Sequence, residues 1–114
     1  MRGIALAVTL TVYSAMAMPI APANPELGRI EAECSAHFYV MQQTLLSHQE
    51  AEAAATMGRL HGLWYGRSLR HITSAEAGRV AEAVRAADAR GSWPQLRSAV
   101  DRCLTFGTDL RGNF

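Results

Sequence analysis

The sequence contains no lysine, so all 11 of its basic residues are arginine. We attribute this bias to a GC-rich genome in preference to selection for the bidentate anion contacts that arginine makes. The arginines are balanced by 10 acidic residues, and the formal net charge is +1. A chain this close to neutral has no electrostatic attraction for nucleic acid, so we exclude a nucleic-acid ligand.

The motifs of common catalytic and metal sites are also absent. There is no Gly-x-Ser-x-Gly elbow and no glycine-rich phosphate loop, and acidic pairs such as Glu31 and Glu33 have the spacing of solvated helix faces. Haem-attachment, His-x-x-x-His and Glu-x-x-His motifs are missing as well. We therefore predict no enzymatic activity, no cofactor and no metal site. One alternative stays open, a small-ligand or metal carrier that uses His37, His61 or His71.

No segment alternates between apolar and polar residues, and no Asn-Gly or Asp-Gly turn occurs, so strands are not expected. Capping residues and apolar spacings of three and four predict four helices instead. Asn24-Pro25-Glu26 begins the first, Thr73 with Glu76 the third, and Ser92 with Gln95 the fourth. The predicted helices span about 25–49, 51–71, 74–90 and 93–106.

Each predicted helix has one apolar stripe that would face a common core. The stripe of the third helix consists of small residues, so this helix must pack closely and bury little area. The stripes, in chain order, are Leu27, Ile30, Cys34, Phe38, Met41 and Leu45; Ala53, Met57, Leu60 and Trp64; Ala77, Val80, Val84 and Ala87; and Trp93, Leu96, Val100, Cys103 and Leu104.

The second helix carries three glycines in register, Gly58, Gly62 and Gly66, with Tyr65 and Leu69 beside them. Each glycine costs a helix about 1 kcal/mol relative to alanine, so the repeat needs an explanation. One explanation is close approach by another helix, and the other is a break in the helix near Gly62 or Gly66. Tyr65 either contributes to a partner-binding surface or packs at a helix border with its hydroxyl in water.

The N-terminus has the pattern of a secretory signal peptide. A positive charge at Arg2 precedes an uncharged stretch over 4–13, and small residues suited to cleavage follow. The apolar run is too short to span a bilayer, although an uncleaved anchor is the rival interpretation. We predict a signal peptide over 1–23 cleaved after Ala17 or Ala23, a helical domain over 24–107 and a flexible tail over 108–114. The mature protein is expected in the periplasm or secreted, without stable membrane insertion.

The two cysteines predict a disulfide, because an exported chain this short resides in an oxidising compartment. In an up-down-up-down bundle the first and last helices are antiparallel neighbours, which brings Cys34 and Cys103 to nearly the same level. A bridge across a loop of this length would stabilise the fold by about 4 kcal/mol.

The sequence thus predicts an all-α protein, a small four-helix bundle with one disulfide between its first and last helices. The leading functional hypothesis is non-catalytic protein binding, as an inhibitor, immunity factor, chaperone or structural partner. The partner would be another protein or a second copy of this chain. The candidate interface is the glycine repeat of the second helix with its two neighbours, Tyr65 and Leu69.

Overall fold

The computed structural model describes residues 23–111, except for the side chains of 108–111. The predicted signal peptide lies outside the described residues apart from Ala23, and so does the end of the predicted tail, 112–114. Four helices make up the described chain, and no strand occurs within it. They are α1 (Pro25–Ser47), α2 (Ala51–Ser68), α3 (Ser74–Arg90) and α4 (Trp93–Arg111).

The predicted helix starts are confirmed by their capping hydrogen bonds. The side chain of Asn24 accepts from a backbone N–H in the first turn of α1, and Thr73 Oγ1 accepts from the N–H of Glu76 at 3.1 Å. At the start of α4 the bonds are reciprocal: Ser92 N–H donates to Gln95 Oε1, and Gln95 N–H donates to Ser92 Oγ. These bonds satisfy backbone donors that the first turn of a helix leaves free, so local sequence fixes where each of these helices begins.

The C-terminal ends of the helices differ from their predicted positions more than the helix starts do. α1 ends at Ser47, and the chain turns because Gln49 adopts a left-handed conformation with φ of 61°. Glycine is the usual residue at such a position, so a glutamine there does not reveal this turn to sequence analysis. In contrast, α4 continues through Gly107 to Arg111 instead of ending near 106, and no proline follows Pro94 to stop it.

The helices form the predicted up-down-up-down bundle, in which α1 packs against each of the other three. Near the start of α1, Asn24 meets His71 at the end of α2, so these two helices are antiparallel. α3 runs parallel to α1, since ion pairs join Arg29 to Glu76 near their starts and His37 to Asp88 further along. α1 is therefore the central element of the fold.

The disulfide between Cys34 and Cys103 is confirmed and ties α1 to α4, with the two Cα atoms 5.6 Å apart. Both residues belong to the main core, whose centre is the fully buried Phe38. The ring of Trp64 lies 6.1 Å from that of Phe38 and 5.9 Å from that of Phe106, so α1, α2 and α4 meet around one aromatic cluster.

Some predicted core residues lie at the surface. Trp93 and Leu104 of α4 are exposed, as is Ala53 of α2, whose neighbour Ala54 is buried instead. In α3 only Ala77 of the predicted stripe is fully buried. The reason is that a helical stripe identifies residues on one side of a helix, whereas burial depends on how far the facing helix reaches.

One glycine outside the repeat of α2 allows a close backbone approach. A Cβ added at Gly28 of α1 would lie 2.7 Å from His71 Cβ and 3.0 Å from Ile72 Cγ2. Real side chains do not approach this closely, so only glycine allows the end of α2 to pack at this distance.

Candidate functional site

Helix α2 continues through all three glycines of its repeat, so the interpretation of Gly62 and Gly66 as helix breaks is wrong. Gly58 faces α1, where an added Cβ would meet Gln42 Nε2 at 2.5 Å. At Gly62 and Gly66 an added Cβ would meet nothing within 4 Å. The atoms met at Gly58 belong to the flexible end of the Gln42 side chain, which can move aside, and at Gly62 and Gly66 the described residues give no intramolecular reason for glycine at all.

Gly62 and Gly66 lie on a side of α2 that no other described helix covers. Leu63 and Leu69 are on this side, with exposed fractions of 52% and 41%. We define the open face of α2 as its exposed residues Ala55, Arg59, Gly62, Leu63, Gly66 and Leu69.

Tyr65 lies beside the open face, in a pocket between α1, α2 and α3. This tyrosine–histidine pocket has a volume of about 190 Å³ and is lined by Ala36, Tyr39, His61, Tyr65, Gly78, Ala81 and Arg85. The ring of His61 lies 5.3 Å from that of Tyr39 and 6.4 Å from that of Tyr65. Tyr65 is half-buried and lines this pocket at the border of α2.

Ser35 holds the His61 ring in place from below the pocket. The Ser35 hydroxyl donates to the backbone oxygen of His61 at 2.9 Å, and His61 Nδ1 lies 3.0 Å from the backbone oxygen of Ser35. Because a carbonyl oxygen only accepts, Nδ1 carries the proton, and in the neutral ring Nε2 keeps its lone pair. Ser35 Oγ also lies 2.9 Å from Nδ1, but Ser35 is fully buried and a protonated Nδ1 cannot take up the hydroxyl proton, so the pair does not form an activated Ser–His nucleophile.

The other histidines are spread over the bundle. His37 pairs with Asp88 at 2.7 Å rather than with Glu33, and His48 caps the end of α1. His71 Nδ1 accepts from the backbone N–H of Asn24. Within residues 23–111 no group of three or more histidine, cysteine, aspartate or glutamate residues could hold a metal ion.

Glu31 is the main correction to the predicted polar residues, because its side chain is buried and not part of a solvated face. The residue is only 1% exposed. Arg67 Nε donates to Glu31 Oε2 at 3.1 Å, and His71 Nε2 lies 3.8 Å from Oε1, which has no hydrogen-bond partner among the described residues. Burial raises the pKa of Glu31, and the attraction of Arg67 and then His71 offsets only part of that rise.

Comparisons of the chain with protein-family models, with curated proteins and with solved structures found no match. None of the helices in the described part of the chain is long and apolar enough to cross a membrane.

The geometry therefore offers three features that the core does not require. The open face of α2 combines two exposed leucines with two glycines at which an added Cβ would make no contact. The tyrosine–histidine pocket has polar groups that no described residue binds. Glu31, Arg67 and His71 form what we call the Glu31 cluster. Because its carboxylate is buried, we expect this cluster to affect the stability of the fold and the pH dependence of that stability rather than binding.

Proposed function

We propose that this protein is an exported, non-catalytic helical domain that binds another protein chain through the open face of α2. The observation that carries the proposal is the pair of solvent-facing glycines, Gly62 and Gly66. Together they cost the helix about 2 kcal/mol relative to alanine. No contact among the described residues repays that cost. A helix docked on this face would gain close backbone contact and would cover the exposed leucines.

The occupant we propose is a second copy of this chain, because the charges flanking the open face are self-complementary. Glu52 lies in the first turn of α2 and Arg70 in the turn that follows the helix, so two exposed and oppositely charged residues stand near opposite ends of the open face. Their midpoint falls beside Gly62. An antiparallel copy centred there would place Glu52 opposite Arg70 of the second copy at both ends, as a two-fold interface requires.

The small residues fit the same arrangement. In the antiparallel pair, Gly66 of one copy would lie within one residue of Ala55 of the other, and Gly62 within one residue of Arg59, whose stem is aliphatic. Glycine and alanine at these positions let two helices approach closely. The disulfide supports the exported setting of the proposal, because such bridges persist in oxidising compartments such as the periplasm or the extracellular space.

Substituting Gly62→Leu tests the proposal. We expect the variant to self-associate at least tenfold more weakly than the wild type, because a leucine side chain would hold the two helices apart. Its free energy of unfolding should rise by about 0.8 kcal/mol, since leucine is the better helix former and its Cβ meets nothing. Sedimentation equilibrium measures the association, and urea unfolding at low protein concentration measures the stability of the monomer.

Ala83→Leu on α3 is the matched control, because it adds a leucine at an exposed helical position away from the open face. It should leave association unchanged. A wild type that stays monomeric at millimolar concentration would contradict pairing with a second copy. Equal association of Gly62→Leu and the wild type would show that any dimer uses another surface.

A further inference from the structure

The tyrosine–histidine pocket contains a set of polar groups with no hydrogen-bond partner in the described chain. These are Nε2 of His61, the terminal guanidinium nitrogens of Arg85 and the hydroxyls of Tyr39 and Tyr65, since the hydrogen bonds of these residues involve other atoms. The four residues come from α1, α2 and α3 and line one cavity of about 190 Å³. Three helices thus bring donors and acceptors to a shared space outside the main core.

Two of these residues, His61 and Arg85, are held by contacts that leave the polar atoms named above unused. Ser35, which is fully buried, holds His61 through Nδ1 and leaves Nε2 as an acceptor. Arg85 lies over the ring of Tyr39 with its guanidinium carbon 5.3 Å from the ring centroid, and its Nε donates to the Ala81 backbone oxygen at 3.4 Å. The terminal nitrogens of Arg85 therefore stay available for a ligand in a constrained orientation.

On the side formed by α3, the cavity is lined partly by small residues. Gly78 and Ala81 lie there, and an added Cβ at Gly78 would meet nothing within 4 Å. The space equals that of about six water molecules at 30 Å³ each, which suits a single ring and is smaller than a typical drug-sized pocket.

We propose that the tyrosine–histidine pocket binds a small aromatic carboxylate that carries a hydroxyl group. The guanidinium of Arg85 binds the carboxylate, His61 Nε2 accepts from the hydroxyl, and the rings of Tyr39 and Tyr65 contact the ring of the ligand. A cationic ligand is disfavoured because Arg85 already occupies the face of Tyr39. The proposal is independent of self-association, since the pocket lies between helices of one chain.

The test is a titration of the disulfide-bonded protein with 4-hydroxybenzoate, followed by two-dimensional NMR of the backbone amides. We expect saturable binding at one site with a Kd on the order of 1 mM or tighter. The amides of His61 and Gly78 should shift. Phenol, which lacks the carboxylate, and benzoate, which lacks the hydroxyl, should each bind at least fivefold more weakly.

Two variants and a control locate the site. Gly78→Leu fills the cavity from its open side and should abolish binding, and Arg85→Gln should weaken it at least tenfold while leaving the fold intact. Arg79→Gln, on the same helix and outside the pocket lining, should bind like the wild type. The proposal is overturned if no saturation occurs at 10-fold the expected Kd, if phenol binds as tightly as 4-hydroxybenzoate, or if Arg85→Gln binds unchanged.

Discussion

Replacing both cysteines, as in Cys34→Ala with Cys103→Ala, is expected to lower the free energy of unfolding by about 4 kcal/mol. The bridge joins residues separated by 69 positions and so restricts nearly the whole described chain in its unfolded state. A domain of this size has a total stability of about 5–15 kcal/mol, so the loss would bring it close to unfolding. Urea unfolding followed by circular dichroism measures the change.

Reduction supplies the control for this experiment. A reductant should destabilise the wild type by nearly the same amount as the double substitution and should leave the substituted chain unchanged. A loss below 1 kcal/mol in both cases would contradict the assigned role of the disulfide and would mean that packing around Phe38 holds α1 and α4 together without it.

Removing Arg67, the cation that binds Glu31, is expected to have the second largest effect on the free energy of unfolding. Arg67→Met should lower the free energy of unfolding by about 3 kcal/mol at pH 8, because it leaves the buried carboxylate of Glu31 without its main partner. The pKa of Glu31 is already raised by burial, so the folded state holds that proton more tightly than the unfolded chain. Stability from this group is therefore present below the ordinary pKa of 4.5 and is lost as the pH rises through the raised value.

The loss from Arg67→Met should consequently shrink as the pH falls toward 4, where Glu31 is protonated in the folded state. About 1 kcal/mol should remain, because Arg67 also lies over the ring of Trp64 at 5.3 Å. Thermal unfolding at several pH values measures this. Adding Glu31→Gln to Arg67→Met should remove the pH dependence of the loss. A loss of equal size at pH 4 and pH 8 would mean that Arg67 acts through packing on Trp64 alone.

Local chemistry made much of the fold predictable. Asn24, Thr73 and Ser92 begin helices because their side chains bind nearby backbone N–H groups, and this can be recognised within four residues of sequence. The disulfide could also be predicted from the sequence, because the predicted helix lengths place Cys34 and Cys103 at similar heights in an antiparallel pair of helices.

Long-range contacts were not predictable in the same way. The burial of Glu31 depends on Arg67 and His71, which the antiparallel packing of α2 brings to it from distant sequence positions. Likewise, only the packing of α2 shows that Gly28 makes the close approach while Gly62 meets nothing. The pocket needs three helices at once, and no local pattern in the sequence brings Tyr39, His61 and Arg85 together.

The measurement that tests the proposed pairing most directly is charge reversal at the two ends of the open face, followed by sedimentation equilibrium at low salt. Glu52→Arg and Arg70→Glu alone should each weaken self-association about tenfold, because two like-charged pairs would replace two ion pairs. The double reversal, which restores opposite charges across an antiparallel interface, should recover the wild-type association. A double variant as weak as either single variant would contradict the antiparallel pair.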